Sequence, residues 1–87
     1  MTDGVWNYPP ELRDALAQFG LDPRPATPPA LVRDALSDLY RHQLRRLRDR
    51  LLAGRIAKPD YVGYVVALRK RYWPLTMTPR GWEDLCR

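Results

Sequence analysis

The stretch LRRLRDRLLAGRIAKPDYVGYVVALRKRY, residues 44–72, decides the fold. Leu44, Leu47 and Leu51 recur at helical spacing and run into Gly54, the residue type that ends helices in a left-handed C′ conformation. Arg55-Ile56-Ala57-Lys58 leaves room only for a tight connector. Pro59 then opens a second helix, with Asp60 as an acid in its early turns. Tyr61, Val65, Leu68 and Tyr72 form the main stripe of that helix, with Val62, Val66 and Trp73 beside it. Arg69, Lys70 and Arg71 fall in its last turn, where cations suit the helix dipole, and Pro74 blocks continuation. The Val-rich residues 62–66 would also suit a strand; the start and stop signals on either side decide for a helix. Gly63 and Ala67 are four apart, a smooth edge that lets another helix come close. The stretch therefore predicts two amphipathic helices folded back on each other.

Upstream, Thr27-Pro28 is a hydroxyl N-cap followed by proline at the first helical position. A helix from there to about Ala53 would be about 39 Å long. Val32, Leu36, Leu39 and Tyr40 join the three leucines on one arc of about 140°. Residues 22–29 hold four of the nine prolines and predict an extended, semi-rigid linker, which also matches SH3 or WW ligands in composition. Before it, Pro9-Pro10 opens a short helix with Leu12, Ala15, Leu16 and Phe19 on one stripe, closed by Gly20 at C′ and the apolar contact of Leu21. Residues 1–8 form an N-terminal arm whose anchors would be Trp6 and Tyr8. Downstream, Thr78-Pro79 starts a final helix to about Leu85, expected to bury Trp82 and Leu85. The sequence thus predicts a single all-α domain over residues 1–87, with three to four helices built on a long antiparallel helical hairpin.

At 87 residues the core is small and the stability margin thin. The apolar fraction of 45% with nine aromatics is enough to order it. One cysteine, Cys86, allows neither an intrachain disulfide nor a Cys-based metal site. No apolar run approaches the ~20 residues of a membrane span, and the first residues lack the pattern of a signal peptide. The expectation is a cytoplasmic protein with no cofactor. Charge is split: residues 1–40 carry three basic residues and six acids, and residues 41–87 carry twelve basic residues and four acids. Such asymmetry suits a polyanionic partner, or an acidic part of one copy against the basic part of another.

The hairpin resembles the short SHOCT domain. The resemblance rests on Leu44, Leu47 and Leu51 leading into Gly54-Arg55-Ile56, an acid at Asp60 and an aromatic at Tyr61, and it covers about residues 44–70. Lys58-Pro59 stands where SHOCT hairpins favour Ser or Thr, and the second helix is longer. The resemblance implies oligomerisation or partner contact, without catalytic residues.

Three constellations could carry function. Arg41, Arg45 and Arg48 share one helical stripe away from the apolar arc, with Arg46 and Arg50 flanking that arc on its other side; Arg55, Lys58 and the Arg69-Lys70-Arg71 cluster could extend the positive surface. Guanidinium forks bind phosphates bidentately. The same stripe also suits an acidic protein, or a solvated face paired with Asp34, Asp38 and Asp49. Tyr64 falls off the core stripe and is the ring expected to be exposed beside the basic cluster, whereas Tyr61 and Tyr72 are expected inside. Base stacking on such rings holds single strands. Enzyme chemistry is thin: His42 has Asp38 one turn before it but no nucleophile nearby, and Glu83-Asp84 are adjacent on a helix and cannot share a face. The expectation is a non-catalytic interaction module, contacting a protein partner or a second copy through Arg41, Arg45, Arg48, Tyr64 and Trp6, with Leu31 and Leu52 covered by the partner. The alternative is non-sequence-specific nucleic-acid binding through Arg41, Arg45, Arg48, Lys70 and Arg71.

Overall fold

The computed structural model describes residues 5–87. It is all-helical: α1 (Pro10–Ala17), α2 (Pro29–Leu52), α3 (Lys58–Arg71) and α4 (Pro79–Leu85), with a short 3-10 turn over Trp73–Thr76 between α3 and α4. No strand occurs among the described residues, and Val62–Val66 is helical. Residues 1–4 of the expected N-terminal arm lie outside the described residues.

The two glycine stops act as their positions require. Gly20 and Gly54 have φ of 76° and 75°, a region open to glycine and costly to other residues. Each closes its helix in the same way. The Leu21 N–H reaches the Leu16 carbonyl at 3.1 Å and the Gly20 N–H reaches Ala17 at 3.0 Å; the Arg55 N–H reaches Arg50 at 2.9 Å and the Gly54 N–H reaches Leu51 at 3.1 Å. These paired bonds satisfy carbonyls that the helix end would leave open. Ile56, at the corner, is buried.

The start of α2 departs from expectation. Pro28, not Thr27, occupies the N-cap, and no side chain caps the helix. Thr27 is engaged elsewhere: its hydroxyl accepts from the Arg24 N–H at 3.0 Å and its own N–H donates to the Arg24 carbonyl at 2.9 Å. The linker therefore folds into a tight turn over Arg24–Thr27 rather than running extended. The N-terminal segment docks on it. Trp6 N–H donates to Pro25 O at 2.7 Å, the Tyr8 hydroxyl to Thr27 O at 2.6 Å, and Asn7 N–H to Cys86 O at 2.6 Å. At α4, Thr78 does cap, accepting from the Gly81 N–H at 3.0 Å.

The core is confined to one end. Leu12, Leu16, Val32, Leu36, Tyr72, Trp82 and Cys86 form its buried cluster. Trp82 is fully buried as expected; Leu85 is exposed, and Cys86 takes the inner position instead. Residue 86 lies four from Trp82, on the same helical face, and its carbonyl is held by Asn7. Arg33, a residue the sequence reading passed over, clips this head together: its guanidinium donates to the carbonyls of Met77 at 3.1 Å and Leu75 at 3.5 Å.

Between residues 37 and 71 only Ile56 is buried. The distal part of α2 and nearly all of α3 thus leave the head as a two-helix arm. The molecule measures 55 × 20 × 16 Å with a radius of gyration of 15.5 Å, against about 12 Å for a compact chain of this length.

Candidate functional site

The arm, residues 41–71, holds ten basic residues against Asp49 and Asp60. The remainder of the chain is net acidic. The charge split seen along the sequence is therefore a split in space, between a basic arm and a weakly acidic head. All ten cations are exposed. Of these ten, only Arg41 has a carboxylate within reach among the described residues, Asp38 at 3.7 Å, and both groups are well solvated. Such a pair contributes at most about 0.5 kcal/mol. Asp34 and Asp49 form no ion pair within 4 Å among the described residues. Asp38 turns to Arg41 and not to His42, so the imidazole is not oriented by it.

The hairpin has two distinct flanks, and side-chain contacts near the head fix which residues share each. At about 100° per residue, Val62, Val66 and Arg69 lie along one flank of α3. Arg69 lines a groove of about 180 Å³ with Tyr40, Tyr72, Leu75 and Thr76. This flank therefore lies on the Tyr40 side of α2, where Leu44 and Leu51 follow at four and eleven residues. The opposite flank of α3 carries Tyr64 and Arg71. Arg71 sits over the Phe19 ring at 5.2 Å, and Phe19 in turn stacks on Tyr72 with centroids 4.2 Å apart. Arg46 and Arg50 occupy the same side of α2.

The first flank is apolar and largely uncovered. Val62 is 62% exposed and Val66 44%; past the end of α3, Trp73 is 38% exposed. No residue of α3 is buried. A helix with apolar residues spread this widely around it normally sits inside a structure. Leu52, on the back of α2, is 74% exposed and Leu31, in the head, 60%. A Cβ placed on Gly63 would meet no atom within 4 Å. The smooth edge at Gly63 is therefore used by no element among the described residues.

The residues singled out in sequence do not form one patch. Arg41, Arg45 and Arg48 lie on the back of α2, away from α3. Tyr64 is exposed, as its register implied, and shares the second flank with Arg71. Arg71 is drawn onto Phe19, so it is partly committed to the head. Lys70 is solvated on the back of α3. Trp6 sits at the far end of the molecule, half-buried against the core, where it lines a shallow groove of about 410 Å³ with Tyr8, Arg13, Pro23 and Pro25. The sequence reading placed Val62 and Val66 beside the stripe but did not select them as contact residues. Their signal was legible: a helix carrying two apolar stripes, of which a single neighbouring helix can cover only one.

Two other groups bear on chemistry. Cys86 is buried, and burial pushes its thiol above the ordinary value, which keeps it in the protonated, unreactive form. The Tyr8 hydroxyl is pushed up to about 12 by burial, with the neighbouring Cys86 adding to the shift. Among the described residues no group of three or more His, Cys, Asp or Glu side chains converges as a metal site, and no helix is long and apolar enough to cross a membrane.

No protein-family model matches the chain, and no curated protein or solved structure matches it either.

Proposed function

We propose that this chain is a non-catalytic protein–protein interaction module, an adaptor or accessory subunit of the cytoplasm, that presents its helical arm to a partner. One observation carries the reading: the arm projects from a head that holds almost the whole core, and α3 reaches into solvent without a single buried residue. A two-helix arm with apolar side chains on an open flank is under-packed on its own. Covering that flank would stabilise it at about 25 cal/mol per Å² of apolar surface removed from water. The resemblance of residues 44–70 to SHOCT hairpins agrees with a contact role. The test is affinity capture with the full chain and with its Val62→Asp/Val66→Asp variant, followed by binding of the purified captured protein. A protein that the wild type holds and the variant releases is the expected result. Equal retention by both variants would overturn the reading.

A second reading, nucleic-acid binding, rests on the nine arm cations without a carboxylate within 4 Å among the described residues. It predicts affinity for a labelled oligonucleotide that falls steeply with salt and weakens in Arg45→Ala/Arg48→Ala. No binding at low salt removes it.

A further inference from the structure

We infer that the occupant of the apolar flank is an acidic amphipathic helix of another protein, laid in the seam between α2 and α3 so that the arm becomes a three-helix bundle. This rests on the interaction reading above and names the chemistry of its partner.

Shape is the first argument. The exposed valines are not isolated: Val62 and Val66 on α3 share a flank by register with the half-buried Leu44 and Leu51 on α2, and at the head the same side of the hairpin carries the groove beside Tyr40 and Arg69. From Val62 to Arg69 the strip rises about 10 Å along α3, roughly two helical turns. A seam between two rods accepts a third rod, which is how amphipathic helices are recognised in grooves.

Charge selects among occupants. The strip carries cations: Arg69 lies in its register on α3, and Arg48, of the α2 back stripe, is the arginine next to Leu44 and Leu51, both exposed and without a carboxylate within 4 Å among the described residues. A second copy packed arm to arm would set one strongly basic arm against another inside a Debye length of about 8 Å, where like charges repel. A second copy's head presents its acids without a free apolar helix face to fill the flank, its helices being packed on the core. Phosphates of a nucleic acid would match the cations but leave the two valines wet. A flat anionic lipid surface would match the charge but not the seam. A helix with leucines on one stripe and carboxylates on its borders satisfies both features at once.

The test titrates the full chain with two labelled synthetic helices of 18 residues, both with leucines at i, i+3, i+4 spacing. One carries glutamate at the bordering positions and the other glutamine. At low salt the glutamate peptide is expected to bind at least tenfold tighter than the glutamine peptide. Arg48→Gln/Arg69→Gln should bring the two together, and Val62→Asp/Val66→Asp should abolish both. These side chains are exposed, so the variants keep the fold, which a thermal melt checks. Equal affinity of the two peptides, or none for either, overturns the inference. So does a dimer, seen by light scattering, that Val62→Asp/Val66→Asp dissolves; that outcome would leave the interaction role standing. Binding of an oligonucleotide or of anionic vesicles that the same variant abolishes overturns both.

Discussion

The indole N–H of Trp82 donates to the Pro74 carbonyl across 2.8 Å, both residues being fully buried. This bond joins α4 to the turn that follows α3, and so ties the root of the arm to the head. The proline that ends α3 by lacking an N–H is thus also the acceptor that orients the largest core side chain.

Removing the ring should be severe. Trp82→Ala is expected to cost about 3–5 kcal/mol, enough to unfold a domain of this size. In Trp82→Phe the Pro74 carbonyl keeps only the longer bond from the Met77 N–H, at 3.3 Å. That variant should lose about 1–3 kcal/mol. Urea midpoints measure both; a loss below 1 kcal/mol for Trp82→Ala would mean the core lies elsewhere.

Gly54→Ala isolates backbone conformation from packing. No atom lies within 4 Å of the added Cβ, so the cost is that of a positive φ, about 1–2 kcal/mol. Gly63→Ala should act in the opposite direction. It sits inside α3 in open space, and alanine gains about 1 kcal/mol there, a rise of several degrees in Tm. A fall in Tm for Gly63→Ala would show that something in the free chain already occupies that edge.

Alkaline pH should loosen the head. Tyr8 is held up at about 12 in the folded chain against an ordinary value of 10, and Tyr72 and Cys86 are also raised, each chiefly by burial. A raised acid keeps its proton in the folded state after the unfolded chain has lost it. Stability is therefore full below about pH 9, where the unfolded thiol begins to lose its proton, and falls through the tyrosine range as pH rises towards 12. Tyr8→Phe should flatten that decline, since it removes one of the titrating groups, while losing the bond to the Thr27 carbonyl. An unchanged slope in Tyr8→Phe would contradict the assignment.

Amide exchange should divide the molecule. Amides of α3 between Tyr61 and Leu68 are expected to exchange faster than those of α2 between Val32 and Tyr40, because the first set has no buried side chain above it and the second spans the core. Uniform protection along both helices would contradict the head-and-arm division.

Local signals along the chain were readable where one residue decides: Gly20 and Gly54 as stops, Thr78 as a cap, Pro74 as a terminator, Trp82 as core. They misled where two partners compete for one group. Thr27 has the chemistry of an N-cap, but the turn with Arg24 holds its hydroxyl. Leu85 and Cys86 both suit the inner face of a short helix, and the carbonyl of Cys86 is the one held by Asn7, near the other end of the chain. Long-range contacts left no trace in local pattern: Arg33 with Leu75 and Met77, and Arg71 over Phe19. For the candidate surface, the exposure of Tyr64 and the arginine stripe of α2 followed from register alone. That α3 would find no second neighbour for Val62 and Val66 depends on the head using up the other helices, which periodicity does not encode.

The most direct test of the account is photocrosslinking in the cells that produce the chain, with a benzophenone amino acid placed in turn at Val66 on the apolar flank, Arg46 on the opposite flank and Glu11 on the head. The account predicts a discrete protein adduct from Val66 and little from Arg46 or Glu11. No adduct at Val66, or equal adducts at all three positions, would contradict it.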